Sequence, residues 1–143
     1  MEPADSRVKI LIVDDHQIVA QGLRLLLWDD ADLEVVGIAA TGGEGVEMAI
    51  RLQPDVVLID FHLPDRAGAD VALMLKRLCP QARIVFLSAD ASPGAVRTAT
   101  DAGASGYLVK DEAGAGLPDA VRRVAKGEQM LPAIPERLTL ADP

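Results

Sequence analysis

Short apolar runs of strand type alternate along this chain with longer stretches of helical period, and the alternation occurs five times. Val8 to Val13 (VKILIV) predicts a strand that ends in the pair Asp14-Asp15. His16 to Trp28 then sets Ile18, Val19, Gly22, Leu23, Leu26 and Leu27 on one face, the stripe that an amphipathic helix buries. Leu33 to Ala39 predicts a second strand, and Thr41-Gly42-Gly43 turns the chain into a short helix marked by Val46, Ala49 and Ile50. Val56 to Pro64 (VVLIDFHLP) is an unbroken apolar run between two prolines, Pro54 and Pro64, as a parallel strand buried on both faces requires. Its last strand residue, Asp60, carries a charge that is costly to bury, so it belongs where the strand leaves the sheet, beside cations or hydrogen-bond donors. On this stretch alone it reads at least as well as an Asp that opens a turn. Ala67 to Leu78 predicts a third helix with Val71, Met74, Leu75 and Leu78 inward, closed by Pro80. Arg83 to Leu87 is strand-like and runs into Ser88, and Ala95 to Ala102 is a weaker helix ending at Gly103, where a left-handed cap is cheap. Ser105 to Val109 predicts the fifth strand and runs into Lys110; Leu117, Ala120, Val121 and Val124 line the last helix.

The strand starts lie 22 to 27 residues apart, which leaves room for one helical crossover in each interval. The fold class is α/β: an open, doubly wound, flavodoxin-like sandwich with a five-stranded parallel sheet in the order 2-1-3-4-5. In that order strands one and three flank the switch point, and ligands gather outside their C-terminal ends. Asp14 and Asp15 after strand one and Asp60 after strand three would therefore converge. Three carboxylates in one crevice repel one another until a proton or a cation joins them. An all-oxygen cluster favours Mg²⁺, with Mn²⁺ as a substitute. Ser88 adds a hydroxyl and Lys110 an ammonium, both suited to phosphoryl oxygens. A metal site, a nucleophilic carboxylate, a hydroxyl and an ammonium together point to phosphoryl transfer.

Composition narrows the picture without changing it. With 143 residues and 50% hydrophobic composition, the chain suits one domain with its own core. A net charge of −8 argues against a nucleic-acid or anionic-membrane surface and suits a site that concentrates cations. The single cysteine, Cys79, allows no internal disulfide and is expected to pack at the end of the third helix. With two histidines beside it, no Cys/His zinc pattern can be written. No apolar run approaches the ~20 residues of a membrane span, and the start, MEPADSRVK, lacks a signal core, so a cytoplasmic location is expected.

ILIVDDH at 10–16, VVLIDFHLP at 56–64, FLSA at 86–89 and GASGYLVKD at 103–111, in that order and spacing, resemble the receiver domain of bacterial two-component response regulators. The resemblance covers roughly residues 7 to 127. It implies a signalling module rather than an enzyme, with Asp60 as the phosphoacceptor for a partner histidine kinase. It also implies Mg²⁺ held by Asp15 directly, by Asp14 largely through water, by Asp60 and by the backbone carbonyl of His62. Ser88 and Lys110 would bind the phosphoryl group, Tyr107 would turn inward as the switch aromatic, and His62 and Asp90 would tune the lifetime of the acyl phosphate. Read by position alone, Tyr107 is a half-buried strand aromatic and His62 a turn residue with a solvated ring.

Asp111 follows the lysine where the family often has a cis proline, and Lys-Asp here resembles the NarL/FixJ subfamily, whose receivers precede a LuxR-type helix-turn-helix. Residues 7–127 are thus expected to be the receiver and 128–143, rich in proline, a linker toward an output domain absent from this chain. DNA would be reached only through that domain; a homodimer and the kinase are the expected protein partners, with no membrane. Two other classes compete. One is a stand-alone or degenerate receiver acting as a protein-interaction scaffold; a degenerate one would lack site residues, yet all five are present. A Mg²⁺-dependent phosphatase of the haloacid-dehalogenase type needs a second Asp two residues after its nucleophile, where this chain has His62.

Overall fold

The computed structural model describes residues 7–89, 92–112, 114 and 116–132; Asp90 and the tail from residue 133 lie outside them. Within this range the elements run β1 (Val8–Val13), α1 (Gln17–Trp28), β2 (Leu33–Ala39), α2 (Gly42–Leu52), β3 (Val56–Asp60) and α3 (Gly68–Leu78). They continue with β4 (Arg83–Ser88), α4 (Pro93–Asp101), β5 (Gly106–Val109) and α5 (Leu117–Ala125). All five strands are parallel and ordered β2-β1-β3-β4-β5. Alternate strand residues face opposite sides, so the sheet builds two cores. On one side Leu11, Val13, Val57, Ile59, Ile84 and Phe86 pack against α2, α3 and α4. On the other Ile10, Ile12, Val56, Leu58, Val85 and Leu87 pack against α1 and α5. The central β3 is buried along its whole length, which is why its sequence shows no polar alternation. Each of its four apolar side chains contributes roughly 1.5–3 kcal/mol by leaving water.

The inward face of α1 differs from the one its periodicity suggests. Ala20, Leu23 and Leu27 are buried, whereas Ile18 is 91% exposed and Leu26 also faces solvent. The helix carries enough apolar residues for two overlapping stripes, and the one containing the small Ala20 is the one packed against the sheet. Ile50 near the end of α2 and Leu78 at the end of α3 are also exposed, while all four apolar residues assigned to α5 are buried. Gly103 takes φ +86° after α4, as the expected left-handed cap. Cys79 is buried at the end of α3, and burial pushes its thiol pKa up. Beyond α5 the chain returns along the free edge of β5: the Met130 N–H donates to Ser105 O (2.7 Å) and the Tyr107 N–H donates to Met130 O (3.1 Å). The first described residues of the tail therefore cover an edge strand that would otherwise present unpaired backbone groups.

Candidate functional site

The register of the sheet brings the C-terminal ends of β1, β3, β4 and β5 to one edge, and each ends in or is followed directly by a polar side chain. Asp14 follows β1, with its N–H bonded to Ala39 O (2.9 Å) and only 1% of the residue exposed. Asp60 ends β3 and is 3% exposed, and Ser88 ends β4 and is buried. Lys110 follows β5, and its Nζ stands 3.2 Å from Asp60 Oδ2 and 3.3 Å from Asp14 Oδ2. Burial pushes this ammonium's pKa down, but Asp14 and Asp60 outweigh that effect and hold it above its ordinary value. None of the described peptide bonds is cis, so the Lys110–Asp111 bond is trans, and a 3₁₀ turn over Lys110–Glu112 leads away from the site.

The loop after β3 is tied down from several sides. The His62 N–H donates to Asp60 Oδ1 (3.1 Å), fixing one carboxylate oxygen while the other faces Lys110. The carboxylate of Asp65 accepts from Gly42 N–H (2.8 Å) and Gly43 N–H (3.0 Å) at the start of α2, and those amides hold its pKa below the ordinary value. Gly68 N–H donates to Phe61 O (3.0 Å), and a Cβ at position 68 would lie 2.6 Å from the carbonyl oxygen of Asp60. Backbone cannot give way as a flexible side chain can. Gly68→Ala is therefore expected to cost about 1–3 kcal/mol by overpacking against the Asp60 loop, measured by denaturant unfolding. Wild-type stability in that variant would contradict the close approach.

Asp14, Asp15, His16 and Asp60 each offer a ligand atom, and these atoms lie within 4.8 Å of one another. A metal fits this set for a further reason. Asp14 Oδ2 is buried without a hydrogen-bond partner: Lys110 is at ion-pair distance but not in hydrogen-bonding geometry. The oxygen is thus held by the charge of Lys110 without accepting a hydrogen bond, and a directly bound cation would supply the partner that a buried carboxylate oxygen normally has. The pocket is thus acidic, partly enclosed and able to hold a divalent ion.

Residues 10–122 match the model for the response regulator receiver domain. The chain belongs to this family. A nitrate/nitrite response regulator protein homolog of Haemophilus influenzae is 34% identical over 125 residues, which are 87% of this chain and 60% of that protein. The receiver domain of the putative response regulator NarL from Mycobacterium tuberculosis superposes with a TM-score of 0.82 at 32% identity, over 86% of this chain and 99% of that one. A LuxR-family two-component response regulator from Aurantimonas sp. gives 0.83 at 30% identity, over 94% of each chain. This receiver spans about three fifths of the length of the curated relatives it matches.

Of the residues singled out in the sequence, Asp14, Asp15, Asp60 and Lys110 meet in one cluster, and Ser88 lies at the adjoining strand end. Tyr107 is not half-exposed: it is buried, edge-on to Phe61 at 5.9 Å, and Phe61 in turn stands edge-on to Phe86 at 5.4 Å. The receiver's His62 is exposed, with its ring against Phe61 at 5.2 Å. Asp90 lies outside the described residues. Sequence reasoning missed His16, which stands among the acids; the available signal was its place directly after the acidic pair.

Proposed function

We propose that this receiver takes a phosphoryl group from the phosphohistidine of a sensor kinase onto Asp60, and that the resulting acyl phosphate switches a partner surface. The observation that carries this reading is the 3.2 Å approach of Lys110 Nζ to Asp60 Oδ2 within the Asp14–Asp15–Asp60 cluster. A carboxylate oxygen of Asp60 attacks phosphorus, the P–N bond breaks, and the electron pair leaves with the kinase imidazole. Asp14, Asp15, Asp60 and the His62 carbonyl would hold Mg²⁺, which neutralises the carboxylates and the incoming phosphoryl oxygens. Lys110 and the Ser88 hydroxyl bind those oxygens as point charge and donor. His62 and Asp90 set the lifetime of the product by their placement two residues beyond the phosphoacceptor and Ser88.

The switch is Ser88 with Tyr107. Contacts to phosphate exist in one state only, and they bias the packing of α4, β5 and α5 toward it. Similarity to LuxR-family regulators supports a transcriptional output reached through a separate DNA-binding domain, with residues 7–127 as the receiver and 128–143 as the connection. A homodimer formed on phosphorylation fits the same reading. The test is amide chemical shifts recorded with Mg²⁺ before and after a small acyl-phosphate donor is added. Shifts are expected at Ser88, Tyr107 and along α4 and α5; changes confined to the residues around Asp60 would instead favour a scaffold without a coupled switch.

A further inference from the structure

His16 takes no part in the phosphoryl chemistry above, yet its imidazole stands inside the acidic cluster. Nδ1 is 3.1 Å from Asp14 Oδ1, 3.3 Å from Asp15 Oδ1 and 3.5 Å from Asp60 Oδ2. Neighbouring ligand atoms around an octahedral ion with bonds of about 2.1 Å stand about 3 Å apart. The nitrogen thus has the spacing of a fourth ligand atom. Local backbone explains its position: His16 precedes α1 in extended conformation, and its N–H donates to Asp14 Oδ1 (2.9 Å), so the ring folds back over the carboxylates it follows. The side chain is 61% exposed and is free to adjust to a bond length without disturbing the core. The buried Oδ2 of Asp14, which faces the Lys110 ammonium at 3.3 Å but accepts no hydrogen bond, independently marks the same crevice as one that takes a cation.

Resting on the metal site of the preceding reading, we propose that His16 Nδ1 is a ligand to the bound ion. The donor set then becomes one nitrogen with three carboxylates and the His62 carbonyl, and the site selects first-row transition ions such as Mn²⁺, Co²⁺ and Ni²⁺ over Mg²⁺. Mg²⁺ is a hard ion satisfied by oxygen and water and gains little from imidazole, whereas the later ions gain from a nitrogen donor, increasingly from Mn²⁺ to Ni²⁺. The competing role for the ring is a counter-charge that the ion displaces. The two roles differ in sign, because loss of a displaced counter-charge strengthens every ion's binding alike.

The test titrates Mg²⁺, Mn²⁺, Co²⁺ and Ni²⁺ calorimetrically into the full chain and into His16→Ala at one buffered pH. His16→Ala removes the ring and keeps the backbone N–H on Asp14. Co²⁺ and Ni²⁺ are expected to bind the variant about tenfold or more weakly, while Mg²⁺ changes by less than about threefold. Pulsed electron paramagnetic resonance of bound Mn²⁺ should show hyperfine coupling to an imidazole nitrogen in the wild type and none in His16→Ala. Ion binding without nitrogen coupling, or a parallel change for all four ions, would overturn the ligand role and leave the metal site standing. Failure of every ion to bind the wild type would overturn both.

Discussion

Asp60→Asn is expected to abolish the labile gain of a phosphoryl group while the protein stays folded. The substitution is nearly isosteric at the end of a strand buried along its length, so neither core loses a contact. An amide oxygen at position 60 still accepts the His62 N–H that now holds Asp60 Oδ1 at 3.1 Å. Lys110 keeps Asp14 at 3.3 Å, so no buried charge is left without a partner. What disappears is the nucleophile, because an amide does not form an acyl phosphate. Intact mass after treatment with Mg²⁺ and an acyl-phosphate donor measures the loss, and circular dichroism checks the fold. A labile phosphoryl group retained in this variant would place the acceptor elsewhere.

Lys110→Ala should separate the metal from the phosphoryl group. The ammonium lies 3.2 Å from Asp60 and 3.3 Å from Asp14, so it competes with any ion for those carboxylates. Its removal is expected to strengthen Mg²⁺ binding while slowing phosphoryl uptake by about 100-fold, the scale of losing one charged donor at developing negative charge. Calorimetry and the time course of mass gain read the two effects separately. Mg²⁺ affinity falling together with the uptake rate would show that Lys110 builds the metal site instead of competing with it. The same ion pairs set a pH limit. Because Lys110 has its pKa raised in the folded state, its contribution to stability is complete below the unfolded value of about 10.4 and is lost as pH climbs through the higher folded value.

Most of this architecture is legible in the sequence because buried parallel strands leave apolar runs, and those of β1, β3, β4 and β5 give way to a polar residue at the C-terminal end. Val56–Ile59 followed by Asp60 fixes both the central strand and the edge where the site lies. Helix faces are less legible where apolar residues exceed what one interface needs. In α1, Ile18 and Leu26 fit the periodicity as well as Ala20, and only packing against the sheet decides between them. Contacts made by backbone leave almost no pattern. Gly68 looks like any loop glycine until the carbonyl of Asp60 is found against it, and Met130 looks like linker until its amide is found on Ser105. His16 was hidden for a related reason: its ring meets the acids through a turn of the backbone and not through a helical or strand period.

The central claim is that Asp60 is a phosphoacceptor in a metal-dependent site, and the most direct measurement is the intact mass of the wild-type chain incubated with a small acyl-phosphate donor, with Mg²⁺ and with chelator. One phosphoryl group should be gained with Mg²⁺, be lost on standing, map to Asp60 and be absent with chelator. No gain with Mg²⁺, or a stable phosphoryl group on another residue, would contradict the account.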